Sequence, residues 1–262
     1  MIKNIRLFVN SNSKAEAIAN IAREEFIKNG FVIEENDFDL GIAIGGDGSF
    51  LRMVKATQFD SDISYVGINA GTLGFMQDVM PDEIPHLISD LLNEKYQIDE
   101  IGIQQTVIHD NNEEYRYNSL NEIVIRNSNL DLLRANIYIN DDYLESFTGD
   151  GIMLATSTGS TAYNLSYGGS IVYPSFSTLQ ITPMAPINSK VYRSITNSII
   201  LPAQTKVRVV PETNEIIVTV DGENKTFSNI ESVETSIEDK KIKCLRFSHY
   251  SFPKKINEKF LS

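Results

Sequence analysis

The chain has 262 residues, 42% of them hydrophobic, enough for one large domain or two modest ones with apolar cores. A formal net charge of -12 excludes a broad basic surface and, with it, sequence-independent binding of nucleic acid. A single cysteine, Cys244, excludes an intrachain disulfide and any multi-cysteine zinc site; it reads as a small buried residue in a strand.

Ile5, Leu7, Phe8 and Val9 predict a first strand. Lys3, Arg6 and Asn10 interrupt its apolar run, which is too short for a signal peptide. No stretch is long and apolar enough to span a bilayer, so a soluble, cytoplasmic protein without a membrane partner is expected. A helix follows over about Ser13 to Asn29, with Ile18, Ile21, Ala22 and Phe26 on one face and Gly30 as its left-handed terminator. Phe31 to Ile33 reads as a second strand.

Leu40-Gly41-Ile42-Ala43-Ile44 then runs as an apolar strand into Gly45-Gly46-Asp47-Gly48, and a helical pattern through Phe50, Val54 and Thr57 begins at Ser49. Strand, glycine turn and helix in that order make a phosphate-accepting corner: glycine backbone comes close to a ligand, and the helix N-terminus offers free N–H groups. Asp47 cannot serve to attract phosphate, so its use is chemical, either to hold a metal or to accept a hydroxyl proton. The loop is neither a Walker A motif nor a dinucleotide fingerprint.

Ser64 to Asn69 predicts another buried strand, ending in Gly71-Thr72-Leu73-Gly74-Phe75, where Phe75 either closes over a base or plugs the core. Asp82 to Asn93 reads as a helix with Pro85 in its first turn. This alternation implies a Rossmann-like α/β domain with a parallel sheet, over residues 1–97.

From there the pattern changes to short strands: Ile98 to Ile108, Tyr115 to Arg126, Ala135 to Phe147, Gly151 to Thr156, Ser198 to Val210, Glu215 to Val220 and Lys241 to Phe247. Turns separate them at Asp110-Asn111-Asn112, Asn140-Asp141-Asp142, 211–214 and Asp221-Gly222-Glu223-Asn224. An all-β, sandwich-like domain is expected over 98–247, interrupted by one helix from Ser160 or Thr161 to about Tyr167. A tail over 248–262 is expected to pack back on the first domain, and a short join between the domains implies a well-defined cleft.

Of three stretches in the second half, the hydroxyl-rich one suits a polar ligand best; the other two read equally as an ordinary strand and a plain turn. Asn121 and Glu122, after Leu120, pair an amide with a carboxylate, which can satisfy ribose hydroxyls. Gly149-Asp150-Gly151 precedes Thr156 to Ser166, in which seven of eleven residues carry a hydroxyl. Tyr163 can stack on a purine while Thr161 and Asn164 bond its edge. Met184-Ala185-Pro186 makes a proline-restrained loop. His86, His109 and His249 lack metal spacing, and no nucleophile elbow occurs.

Taken in order, Gly45-Gly46-Asp47-Gly48, Leu120-Asn121-Glu122, Gly149-Asp150-Gly151 and Thr158-Gly159-Ser160-Thr161-Ala162-Tyr163 resemble the NAD kinases, and Gly168-Gly169 with Tyr173-Pro174-Ser175 adds to the likeness. The resemblance implies transfer of the γ-phosphoryl of ATP, or of polyphosphate, to the 2′-hydroxyl of the adenosine ribose of NAD, giving NADP. It implies Asp47 as the base for that hydroxyl and Gly45, Gly46 and Gly48 as the phosphate loop. Gly48 and Phe75 would stand beside the adenosine end. Asn121 and Glu122 would bind ribose and phosphate, and Thr158, Thr161, Ala162, Tyr163 and Ser166 would form the adenine pocket. Asp150 and Ala185 would lie toward the nicotinamide half. Mg²⁺ or another divalent cation would arrive with ATP, no metal would be held by the protein alone, and the family assembles as homodimers or homotetramers. Two positions depart from its pattern: Thr148 stands where a basic residue is usual, and Gly222 follows Asp221 where a polar or histidine side chain is usual. The rival readings are a lipid kinase of the diacylglycerol or sphingosine type, which shares the glycine–aspartate loop, and a non-catalytic NAD(P)-binding sensor.

Overall fold

The computed structural model describes residues 2–71, 74–110, 113–129, 131–247 and 250–262. Thr72 and Leu73 of the expected glycine-flanked loop, Asn111 and Asn112 of the expected turn, and His249 lie outside the described residues. The chain divides into two compact units, one formed by residues 1–100 with 241–262, the other by residues 101–240.

The first unit is α/β. Strands β1 (Asn4–Val9), β2 (Val32–Ile33), β3 (Leu40–Gly45) and β4 (Ser64–Asn69) are parallel, in the order β2-β1-β3-β4. Every residue of β3 is buried, which is why its sequence is a continuous apolar run rather than an alternating one. Helix α1 (Ser13–Lys28) starts where the Asn12 side chain accepts the Ala15 N–H at 2.9 Å, and ends before Gly30, whose φ is +88°. Its buried stripe is Ala15, Ile18, Ala19, Ala22 and Phe26. Ile21, expected on that face, is 56% exposed: two small alanines let the helix approach the sheet along the neighbouring stripe and turn Ile21 outward. Helix α2 (Asp47–Ala56) follows β3 directly. A 3-10 turn at Pro81–Glu83 leads into α3 (Ile84–Leu92), which buries Ile84, Leu87, Ile88 and Leu91.

The second unit is built of antiparallel strands. They are β5 (Gln97–Asp110, entering from the first unit), β6 (Glu114–Ser119), β7 (Glu122–Asn127), β8 (Leu133–Ile139), β9 (Asp142–Gly149) and β10 (Gly151–Thr156). A 3-10 turn at Thr158–Thr161 and the single turn α4 (Tyr163–Ser166) come next. Then follow β11 (Thr178–Met184), β12 (Ile199–Pro202), β13 (Val207–Pro211), β14 (Glu215–Val220), β15 (Glu223–Ser228) and β16 (Ile230–Arg246). One layer runs β12-β11-β10-β7-β14-β15. The other joins β9, β8, β13 and the first half of β16, with β5 and β6. Ile123, Ile125, Leu154, Ile216 and Val218 from the first layer meet Ile137, Phe147, Val207, Val209 and Val233 from the second in one core, which makes the unit a sandwich. The second half of β16 returns to the first unit as a parallel partner of β4, and α5 (Phe252–Phe260) closes the chain.

Three differences from the sequence expectation have physical causes. The strand expected over Tyr115 to Arg126 breaks at Leu120 and Asn121, whose N–H groups bond a side chain instead of a strand. Strand β11, which carries Gln180 and Pro183, lies outside the strands expected from sequence. Gln180 is buried and spans the Ser170 N–H and carbonyl, and Pro183 lies beyond the last residue paired with β12. Strand β15 is an edge with only Phe227 buried, so its sequence shows no apolar alternation.

Candidate active site

In the first unit the strand-to-helix corner forms as the sequence implies. Gly45 ends β3, Gly46 is the N-cap of α2, and Asp47 and Gly48 begin the helix, where a carboxylate complements the positive dipole end. A β-carbon on Gly45 would fall 2.2 Å from Ser49 Oγ, whereas one on Gly46 would meet nothing within 4 Å. Gly45 is therefore required by packing, and Gly46 leaves bare backbone facing open space. The Asp47 carboxylate accepts two N–H groups, Phe75 at 3.0 Å through Oδ2 and Met76 at 2.9 Å through Oδ1. Gln77 Nε2 donates to the Gly46 carbonyl at 2.8 Å. The phosphate corner and the segment after β4 are thus one hydrogen-bonded assembly. Each carboxylate oxygen has two acceptor positions, and the donors among the described residues fill one on each. The Phe75 ring is half-buried against α5, 5.9 Å from Phe252 and 5.6 Å from Phe260.

In the second unit a different carboxylate organises the backbone. Asp221 directly follows β14, with φ +44°, and its oxygens accept the N–H groups of Leu120 and Asn121, each at 2.8 Å, and of Glu122 at 3.2 Å. Asn121 in turn supports the hydroxyl-rich segment: its carbonyl accepts the Thr156 N–H at 2.9 Å, and Thr156 Oγ1 accepts the Gly159 N–H at 3.0 Å. A β-carbon on Gly159 would lie 2.0 Å from the Asn121 carbonyl oxygen, so only glycine allows this approach. Asn121 thereby lies against Gly159 of the 3-10 turn Thr158–Thr161. Glu122 is 7% exposed, and its Oε2 finds no hydrogen-bond partner among the described residues. Burial, and secondarily the Asp221 charge, pushes its pKa up to about 8.

Tyr163 is 40% exposed, with its hydroxyl accepting from Arg126 at 2.8 Å and donating to Tyr167 at 3.2 Å. Ser166 is exposed at the end of the same turn. Asn164 points the other way: it is fully buried, its amide oxygen accepts from Thr182 Oγ1 at 2.6 Å, and its Nδ2 lies beneath Gly169. Asp150 and Ala185 come together at one edge, where the Asp150 N–H donates to the Met184 carbonyl at 2.9 Å and Ala185 adopts φ +45°. Thr148 is buried in β9, opposite Arg134 of β8.

Sequence reasoning missed a buried charge cluster in the first unit. Asp78 lies between Arg246 of β16 and Lys255 of α5, and Arg246 also bonds Asp99 at 2.9 Å. Burial depresses the Lys255 pKa, with the Asp78 charge offsetting part of the effect. Burial also works against the Arg246 charge, but Asp78 and its other neighbours outweigh it and hold that group above its ordinary value. Partners so distant in sequence leave no local pattern. For Asp221, the Asp-Gly pair marks the turn but not the clamp.

Among the described residues, no helix is long and apolar enough to cross a membrane, and no three His, Cys, Asp or Glu side chains gather as a metal cage.

Comparison with known proteins accounts for both halves. The model of the ATP-NAD kinase N-terminal domain matches residues 6–96, and that of the ATP-NAD kinase C-terminal domain matches residues 120–242. An NAD kinase of Finegoldia magna is 39% identical over 270 residues, covering 99% of this chain and 98% of that protein. NAD kinase 1 of Halalkalibacterium halodurans is 34% identical over 88% of this chain and 89% of its own length. Among solved structures, yeast NADH kinase complexed with NADH aligns with a TM-score of 0.85 at 22% identity, over 100% of this chain and 89% of that one. An NAD kinase from Archaeoglobus fulgidus in complex with ATP aligns with a TM-score of 0.75 at 18% identity, over 97% and 99%. The two structures speak for the fold; the near-full-length likeness to the F. magna protein goes further, and with both domain models matched in order, the chain belongs to the NAD kinase family.

Proposed function

We propose that the protein transfers the γ-phosphoryl of ATP to the 2′-hydroxyl of the adenosine ribose of NAD, giving NADP, with Asp47 as the base. The observation that carries this is the fixed carboxylate at the start of α2, held by the Phe75 and Met76 N–H groups beside uncovered glycine backbone. Phosphoryl transfer depends chiefly on positioning and on charge stabilisation. Glycine N–H groups of the corner suit the donor phosphates. A carboxylate with acceptor positions to spare suits the hydroxyl, whose proton must leave as the new P–O bond forms; such assistance is worth about 10²–10⁴-fold in rate.

The second unit would hold the dinucleotide. Asn121 and Glu122 would bond ribose hydroxyls. Thr158, Thr161, Ala162 and Ser166 would line the adenine pocket, with Tyr163 stacked on the base. Asp150 and Ala185 would lie toward the nicotinamide half. At neutral pH a protonated Glu122 is a donor as well as an acceptor, which a ribose hydroxyl can use from either side. A divalent cation would come with the triphosphate and offset its charge. Polyphosphate offers the same chemistry as a donor. Assembly as a homodimer or homotetramer, in the cytoplasm, belongs to this reading.

The test is purified protein with NAD, Mg²⁺ and either ATP or polyphosphate, with NADP detected by an NADP-specific dehydrogenase. Asp47→Asn should lose about 10²–10⁴-fold in kcat and still bind NAD. Full activity in that variant removes Asp47 from the mechanism.

A further inference from the structure

Lys255 lies in the second turn of the C-terminal helix α5, and it is only 7% exposed. A buried ammonium needs all three of its donors satisfied, and here the partners are the Phe75 carbonyl at 3.0 Å, the Gln77 carbonyl at 2.9 Å and the Asp78 carboxylate. No proton of Lys255 is left for a substrate. Two of the three partners, however, belong to the backbone segment that holds Asp47. The peptide joining Phe75 to Met76 gives its carbonyl to Lys255 and its N–H to Asp47 Oδ1 at 2.9 Å. One peptide dipole is thus fixed between an ammonium and a carboxylate, and each end strengthens the hydrogen bond at the other. The same helix packs Phe252 and Phe260 on the Phe75 ring, so α5 restrains this segment by side chain and backbone together.

We propose that Lys255 is a positioning residue for the reaction: through the Phe75–Met76 peptide it fixes the orientation of the Asp47 carboxylate, which makes α5 part of the catalytic apparatus although Lys255 has no donor left for a substrate. The proposal rests on the reading of Asp47 as the base. Arg246 gives Asp78 a second cation, so removing the Lys255 ammonium does not strand a buried carboxylate. A purely structural lysine would affect the melting temperature and the fraction folded. A positioning lysine affects turnover by the folded enzyme.

The experiment uses the full chain with Lys255→Met, which retains the buried stem, and the double variant Lys255→Met/Asp78→Asn, which removes one charge of each sign if the single variant folds poorly. In whichever folds, kcat should fall about 10- to 100-fold, with the KM values for NAD and ATP within about twofold, because a small misplacement of a reacting group costs rate and not binding. Amide exchange of Phe75 and Met76 should accelerate relative to the rest of the unit. An unchanged kcat, or unchanged exchange at Met76, overturns the proposal. Asp47→Asn is measured beside it. An inactive Asp47→Asn enzyme with an undisturbed Lys255→Met enzyme overturns the Lys255 proposal alone; an active Asp47→Asn enzyme overturns the reading of Asp47 and the Lys255 proposal with it.

Discussion

Asp221 holds Asn121 by its backbone across 100 residues of chain, Oδ1 accepting the Asn121 N–H at 2.8 Å. With Leu120 and Glu122 also bonded, one carboxylate stops a strand and presents Asn121 and Glu122 side by side. Asp221→Asn keeps a residue that tolerates φ +44°, so it removes charge and acceptors without straining the turn. The amide has one acceptor oxygen where the carboxylate has two, which leaves an N–H of the clamp facing a donor. We expect a loss of about 1.5–3 kcal/mol in denaturant unfolding, together with weaker NAD binding. Asp221→Ala should be worse, because alanine adds backbone strain. Equal stability of all three proteins would show that the clamp is dispensable.

Glu122 makes stability depend on pH with a definite sign. Its pKa is raised from 4.5 to about 8, so between those values the folded chain binds more protons at this site than the unfolded chain. Its contribution is fully present below about 4.5 and falls as pH rises through about 8. Glu122→Gln removes this titration while keeping the shape. The melting temperature of the parent should therefore fall relative to Glu122→Gln as pH goes from 5 to 8.5, on the order of a few degrees. Parallel curves for the two proteins would contradict a buried, titrating Glu122. Asp221→Asn should move the window down, since the Asp221 charge contributes to raising the Glu122 pKa.

Gly74 fixes where Asp47 can be. A β-carbon there would fall 2.1 Å from Asp47 Oδ1 and 2.7 Å from its Cγ, closer than any real contact. Gly74→Ala must displace the carboxylate from the Phe75 and Met76 N–H groups or move that segment. We expect kcat lower by about 10²-fold, with KM values nearly constant, and a stability loss of about 1–3 kcal/mol. An alanine variant with normal turnover would show that the reaction does not need the carboxylate where it stands.

Tyr163 separates stacking from hydrogen bonding. Its ring is exposed, while its hydroxyl is bonded to Arg126 and Tyr167. Tyr163→Phe keeps the face a base would stack on, so dinucleotide affinity should stay within about twofold, whereas Tyr163→Ala should lose about 1–3 kcal/mol of binding with less effect on turnover at saturation. Equal loss in both variants would assign the role to the hydroxyl instead of the ring.

Much of the fold is legible in the sequence where the signal is local. The all-buried run of β3, the glycine corner and the helix after it follow from periodicity and from what glycine permits. The sandwich follows from short strands between turn residues, and its inner faces carry the alternating apolar residues of β8, β13 and β14. Where local and tertiary demands part, the sequence misleads. Ile21 has the right spacing for a buried stripe and lies outside it, because Ala15 and Ala19 allow closer packing. Asn164 has the chemistry of a base-reading side chain, but Thr182 takes its amide oxygen inside the fold.

The sequence by itself determined that this chain carries an acid at the head of a helix after a buried strand, and a hydroxyl-rich turn in a β unit. Both are properties of neighbouring residues and of the backbone angles they allow. Only the tertiary structure decided what holds those groups in place: Phe75 and Met76 for Asp47, Asp221 for Asn121 and Glu122, and Lys255, 180 residues from the Phe75 carbonyl it grips. The physical reason is that a hydrogen bond between distant residues requires no particular spacing along the chain, only a fold that brings donor and acceptor within reach and shuts water out.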